Sequence, residues 1–196
     1  MSLIPAFEIG LLNAWILVLY IIAYNIVPYY LSSKKMIDEE TVKKVGHPDI
    51  EKLKTQRHLG IILMFVFYIP IVYSFFLPIG MNTNWFFFGM ILYFIGIFIG
   101  TSAMYSFFKT PPEKLVTNGI YRYSRNPMYL SIVLLYTGIS IVCLSWLFLL
   151  ITIIFTILTY FLILSEEEYC CKKYKNKFND YMSKTPRWIG FPKSNS

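Results

Sequence analysis

Long apolar stretches alternate along the chain with short polar ones. Apolar residues fill the segments from about Ile9 to Leu31, Leu59 to Leu77, Trp85 to Phe108 and Met128 to Leu164 with few interruptions. A helix rising about 1.5 Å per residue needs about 20 apolar residues to cross a hydrocarbon core of roughly 30 Å. Each of the first three stretches therefore predicts one span. The fourth is too long for one crossing and just long enough for two short ones. It predicts a helical hairpin turning near Cys143 to Trp146, although no Gly or Pro marks the turn. The expected architecture is all-α, a single polytopic transmembrane domain over 1–196 with five spans at about 9–31, 59–77, 85–108, 128–143 and 146–165.

Punctuation inside the stretches refines this picture. Pro70 falls within span two and Pro78 just after it, predicting a kink and then a stop, the kink tolerated where a neighbouring helix satisfies the freed carbonyl. Span three carries Gly96-x-x-x-Gly100, with Gly89 one heptad before Gly96. That small-residue face lets another helix approach closely, and its expected role is packing rather than catalysis. After Leu164, Tyr174, Phe178 and Tyr181 recur at helical spacing beneath basic residues, which predicts an interfacial helix continuing span five.

Charge then orients the spans. The net charge is +7, and the 18 Lys and Arg residues fall in three segments only: seven from Lys34 to Arg57, four from Lys109 to Arg125 and seven from Lys172 to Lys193. The connections from Leu77 to Asn84 and around Ser145 carry no charge. This is a positive-inside distribution. It predicts that the 32–58 loop, the segments 109–127 and 166–190 and the C-terminus face the cytoplasm, with the N-terminus outside. The same distribution argues against nucleic acid as a partner and, in the 32–58 loop, for contact with anionic membrane lipids. No basic region precedes the first stretch, so it is expected to remain as a span rather than be removed as a signal peptide.

Composition agrees: 56% of residues are apolar and only 15% charged, against about a quarter charged in soluble domains. Three cysteines, Cys143, Cys170 and Cys171, have a spacing suited to neither a disulfide framework nor a tetrahedral zinc site and read as reduced thiols.

Two segments carry candidate chemistry because they set polar groups against the membrane: Leu115 to Tyr129, and Glu166-Glu167-Glu168. A single Glu at a helix end is ordinarily just solvated. Three at a hydrocarbon edge point to function, since ionisable groups near the membrane tend to be functional. Asn118-Gly119 signals a turn, and Asn126-Pro127 sets Pro at the first turn of span four.

The combined pattern is Leu115-Val116-x-x-Gly119-x-Tyr121-x-x-x-Arg125-x-Pro127-x-Tyr129, then a hairpin, then Glu166-Glu167, then a basic aromatic tail ending Thr185-Pro186-Arg187-Trp188. It resembles the isoprenylcysteine carboxyl methyltransferase family, which shares a membrane-embedded core with phospholipid N-methyltransferases. Three departures stand out, one of them Tyr174-Lys175-Asn176-Lys177-Phe178 where family members usually read Phe-Gly-x-x-Tyr. Family members usually read Arg-His-Pro-x-Tyr where this chain has Arg125-Asn126-Pro127-Met128-Tyr129, and Asn126 hydrogen-bonds but does not titrate near neutral pH. They also carry an Arg about one turn before the Glu pair, where this chain has Phe161-Leu162-Ile163-Leu164.

The resemblance implies an S-adenosylmethionine-dependent, protein-S-isoprenylcysteine O-methyltransferase-like enzyme. Its cofactor pocket would be lined by Lys114, Leu115, Val116, Tyr121, Asn126, Pro127, Met128, Tyr129, Glu166 and Glu167, with Arg125 and Glu167 in catalytic roles. Carboxylates and aromatic faces suit a sulfonium donor bearing an amino group. In-line methyl transfer calls on alignment rather than on a metal or redox cofactor. The expected acceptor is lipidic and enters from the bilayer, a prenylcysteine carboxylate ahead of a phospholipid amine. A sterol-reductase-like enzyme and a non-enzymatic membrane scaffold are the alternatives from other classes.

Overall fold

The computed structural model describes residues 10, 12–35, 50–111 and 114–192, with backbone alone for 27–35 and 50–60. The ends of the expected first span at Ile9 and Leu11, most of the 32–58 loop and Lys193 lie outside the described residues. Among the described residues six α-helices follow one another: α1 Trp15–Lys35, α2 Ile50–Tyr73, α3 Asn84–Lys109, α4 Pro127–Val142, α5 Trp146–Tyr174 and α6 Asn176–Lys184. Short 3-10 turns occupy Ser74–Phe76 and Gly119–Arg122. Among the described residues there is no strand, and the isolated bridge recorded pairs Asn13 with Pro78.

Each apolar stretch of the sequence falls on a helix, and the long fourth stretch is divided as its length requires. The hairpin turn between α4 and α5 occupies Cys143 to Ser145, with Leu144 at φ 53° in the left-handed region normally given to glycine. Ser145 caps α5 by accepting from the Phe148 amide at 3.3 Å. Two helices, α3 and α5, are long and apolar enough to cross a membrane; α4 and parts of α1 and α2 are shorter apolar helices. Only 33% and 28% of the most apolar windows of α3 and α5 are buried within the protein. The core helix of a soluble protein is mostly covered, whereas these two leave large apolar side chains such as Phe87, Phe94, Phe98, Ile153 and Phe161 open. That is the surface of a membrane protein.

The closest helix pair is α3 against α4. Cβ atoms built on Gly89 and Gly138 would meet Gly138 O and Gly89 O respectively, each at 2.8 Å, so the two backbones touch where neither helix has a side chain. Gly96 lies under Leu135, and Gly100 lies under Ser131, whose hydroxyl donates to Gly96 O at 2.8 Å. The small-residue face of span three is thus a packing face. Pro70 lies inside α2, and Tyr136 of α4 donates to Phe67 O at 2.6 Å, one residue from the carbonyl that the proline leaves without its amide. Tyr136 itself is enclosed by Phe67, Phe148 and Phe155 at centroid distances of 5.6–5.9 Å.

α1 joins this bundle through Tyr93, which donates to Leu17 O at 2.6 Å, and through the Asn13 amide, which donates to Phe75 O at 2.7 Å. The opposite end of the α3–α4 pair is thereby left to the polar segments.

Because the Gly89–Gly138 contact is backbone on backbone, a side chain on either glycine has nowhere to go. Gly89→Val and Gly138→Val should each destabilise the protein by about 1–3 kcal/mol or more. Thermal unfolding in detergent should show this loss, with Phe87→Ala, at an exposed site on the other face of α3, changing stability much less.

Candidate functional site

At the polar end of the bundle the chain leaves α3, turns and re-enters at α4. Gly119 makes that turn at φ 60°, and any Cβ there would lie 2.4 Å from the Ser106 hydroxyl of α3. Glycine is therefore required twice over, by backbone conformation and by space. The 3-10 turn that follows buries Tyr121, and Pro127 then opens α4 at its first turn, where the missing N–H costs nothing.

α5 continues well past its apolar part and carries the glutamates out beside the start of α4. It stops at Lys175, a non-glycine residue at φ 47°. The tail is accordingly not one helix continuing the fifth span but the end of α5, a sharp break and the short α6. The break turns α6 back onto the loop: Phe178 and Tyr181 are buried, and the Tyr181 hydroxyl donates to Tyr121 O at 2.6 Å.

Residues 185–190 then run alongside 121–126 like a strap. The Arg125 amide donates to Pro186 O at 3.0 Å, the Gly190 amide to Tyr123 O at 3.0 Å, and the Asn126 side-chain amide to Arg187 O at 3.2 Å. The Ser124 hydroxyl accepts from the Asn126 amide at 3.1 Å, holding the residue before Pro127 outside the helical conformation at φ -128° and ψ 53°.

Glu167 sits at the focus of these segments and is buried. The guanidinium of Arg187 grips it side-on, Nε lying 3.2 Å from both carboxylate oxygens and Nη2 2.8 Å from Oε2. Arg125 Nη2 lies 3.5 Å from Oε1 on the other side, and the Asn126 amide points at the same oxygen at 3.5 Å. One carboxylate thus faces two cations. Hydrogen bonding to Glu167 holds the Arg187 guanidinium above its ordinary pKa. Arg125 Nε is buried and has no hydrogen-bond partner among the described residues.

Glu166, its neighbour in sequence, has different surroundings. Its surface is open, yet protein crowds around it, and the partial loss of water raises its carboxyl above the usual range, while a hydrogen bond from Tyr129 works in the opposite direction. The Tyr129 hydroxyl donates to Glu166 Oε1 at 2.7 Å. Burial, and after it the neighbouring Tyr181 and Glu166, pushes the Tyr121 phenol up as well. Cys170, one turn further along α5, is pushed up to about 11, chiefly by burial, and stays a thiol near neutral pH.

Of the residues that the sequence marks for chemistry, Arg125 and Asn126 meet Glu167 and Tyr129 meets Glu166, with Tyr121 buried nearby and Pro127 at the first turn of α4. Met128 is half-buried beside them in the first turn of α4. Lys114, Leu115 and Val116 are not joined to the carboxylates by a recorded hydrogen bond or ion pair. The Lys114 amide donates to Pro111 O at 2.9 Å, and Lys114 itself is exposed. Sequence reasoning assigned no role to Arg187 or to Tyr160, whose ring lies under the Arg187 guanidinium at 5.4 Å. The available signal was Pro186-Arg187 itself, an arginine just past an amphipathic helix beside an acidic cluster.

Residues 84–177, from α3 to the start of α6, match the family of phospholipid methyltransferases, to which isoprenylcysteine carboxyl methyltransferases are related. Comparison with curated proteins gives no significant match. The match makes these helices similar to the core of phospholipid methyltransferases, and it stops ten residues before Arg187.

Because Glu167 joins α5, the loop and the strap, its loss should loosen all three. Glu167→Gln is expected to cost about 1.5–3 kcal/mol and to speed tryptic cleavage after Lys184 and Arg187. Glu168 forms an exposed i,i+4 pair with Lys172 at 3.3 Å, and Glu168→Gln should change stability by less than about 0.5 kcal/mol. Thermal unfolding and limited proteolysis of the two variants check this contrast.

Proposed function

We propose that the protein is a multi-pass membrane methyltransferase that moves a methyl group from S-adenosylmethionine to a lipidic acceptor at the cytoplasmic face. The observation that carries this reading is the juxtaposition of two adjacent carboxylates in unlike settings: Glu166 open and held by Tyr129, Glu167 buried between Arg125 and Arg187. One side of the site suits a cationic donor and the other an anionic acceptor.

The residues fit the donor. S-adenosylmethionine, when bound, supplies an electrophilic methyl group on a sulfonium centre. Glu166 is the accessible carboxylate for an ammonium group, and Tyr129 fixes its orientation. Tyr121 and Tyr129 offer aromatic faces to positive charge, and Asn126, Pro127 and Met128 form the wall between the two carboxylates. The exposed Lys114 and half-buried Leu115 and Val116 complete the pocket from the α3 side in this reading.

On the acceptor side, two arginines and one glutamate leave a net positive charge. A prenylcysteine carboxylate is already ionised at neutral pH and needs only to be held and desolvated, with no base. Arg125 and Arg187 do this, and Glu167 keeps both guanidinium groups in place. The second reading is methylation of a phospholipid amine, favoured by the family match and by the raised carboxyl of Glu166, which then removes the ammonium proton.

The pH profile of methyl transfer separates them. With a farnesylated cysteine derivative as acceptor and S-adenosylmethionine kept saturating at every pH, because protonated Glu166 holds the donor less tightly, the rate should stay level as pH falls through the titration of Glu166. With phosphatidylethanolamine it should drop there, at a higher pH than an ordinary glutamate would give because burial raises the folded-state pKa. Failure to bind S-adenosylhomocysteine in calorimetry removes both readings.

The orientation follows from the charge pattern: five spans, N-terminus outside, site in the cytoplasm. Cysteine labelling should find positions 38 and 176 on the cytoplasmic side and position 81 outside. A shared side for 38 and 81 breaks this topology.

A further inference from the structure

Glu167 takes only one edge of the Arg187 guanidinium. Nε and Nη2 face the carboxylate, while Nη1 lies 3.4 Å from the Tyr160 hydroxyl. The opposite edge, formed by the outer N–H groups of Nη1 and Nη2, has no other partner recorded among the described residues. A guanidinium carries five N–H donors in a planar fork, so an arginine held on its side edge still offers its end edge to a second planar or tetrahedral anion.

That open edge has a definite position. Arg187 is 28% exposed at its side chain, whereas Arg125 is 11% exposed. It lies over the ring of Tyr160, and Tyr160 belongs to an open stripe on α5 formed with Ile153, Ile157, Phe161 and Leu164, which runs up to the buried Glu167. These positions recur at helical spacing and share one face. A fixed cation at the polar end of a long apolar stripe is complementary to an amphiphile with one hydrocarbon chain and an anionic group. Among the described residues nothing covers the stripe, and the bilayer is what meets it.

We infer that Arg187 binds the anionic group of the lipidic acceptor through the end edge of its guanidinium, with the acceptor's hydrocarbon chain lying along the α5 stripe and Glu167 acting as the positioning residue for Arg187. This rests on the methyltransferase reading for calling the amphiphile an acceptor, but the binding site stands on its own geometry. The anion is a carboxylate or a phosphodiester; both match the fork. Arg187 lies beyond the segment that matches the phospholipid methyltransferases, so this chain supplies acceptor recognition from its strap.

Substitution of the side chain leaves the strap anchored, since its bonds to 123–126 run through the backbone of Pro186, Arg187 and Gly190. Titration calorimetry of the full chain in neutral detergent tests the inference with N-acetyl-S-farnesylcysteine and with a single-chain lysophosphatidylglycerol, an anionic phosphodiester, as probes, and separately with S-adenosylhomocysteine. At least one anionic probe should bind the wild-type chain. Arg187→Gln and Arg187→Lys should both weaken that probe about ten- to hundredfold, since Lys keeps the charge but not the fork. S-adenosylhomocysteine affinity should stay within about twofold. Ile157→Ser should weaken the farnesyl compound more than its geranyl analogue. The inference is overturned if neither probe binds, if the Arg187 variants bind as well as wild type, or if donor affinity falls in parallel with probe affinity. Loss of S-adenosylhomocysteine binding by the wild-type chain strikes the methyltransferase reading alone. The preference between carboxylate and phosphate probes identifies the source of the anion.

Discussion

A buried carboxylate can stay buried only if something opposite and well oriented faces it, and the polar end of this protein is organised around that requirement. Glu167 draws in Arg125 from the loop before α4 and Arg187 from the strap. The desolvation cost of an ion pair is offset when geometry is good and the remaining hydrogen-bonding positions are filled. Here the side-on fork of Arg187 supplies the geometry, and Asn126 points its amide at Oε1 of the same carboxylate. Remove the carboxylate, and two cations are left facing each other across a dry gap. The loop, the strap and the end of α5 are thereby one cooperative unit.

The bundle below it obeys a different rule. Inside a bilayer no hydrophobic drive pulls helices together, so contact area and interhelical hydrogen bonds must do so. The Gly89–Gly138 backbone contact provides the first, and the Ser131, Tyr93 and Tyr136 hydroxyls, each donating to a carbonyl of another helix, provide the second. Rigid pairing of α3 with α4 fixes the start of α4, and with it Asn126 and Tyr129, against α5.

Much of this was legible in the sequence, for identifiable reasons. Apolar length located the helices and the hairpin, even though its turn forces Leu144 into a left-handed conformation that no residue there advertises. Asn118-Gly119 and Asn126-Pro127 marked the loop because backbone conformation constrains those residues strongly. Glu166 and Glu167 stood out by lying beside hydrocarbon. Their division of labour did not, because adjacent helical residues differ only in direction, and direction matters only once neighbours are known. Arg187 was illegible as a site residue for the same reason: its reach to Glu167 depends on the break at Lys175, where a lysine stands in a conformation that no pattern of polarity predicts. Lys114 to Val116 lay in a motif and yet remain apart from the carboxylates.

The shortness of α4 has an energetic meaning of its own. Its 16 residues rise about 24 Å, less than the roughly 30 Å of a hydrocarbon core, while α5 with 29 residues rises about 44 Å and runs on past it. With both helices read as spans, the start of α4 and the carboxylates beside it lie in a recess at or just below the level of the lipid phosphates. Drawing a fifteen-carbon chain wholly into water would cost about 12 kcal/mol at 0.8 kcal/mol per methylene. If the acceptor is lipidic, as proposed, reacting groups at the depth of the headgroups would leave that chain in oil throughout, and the extraction barrier would not enter the rate.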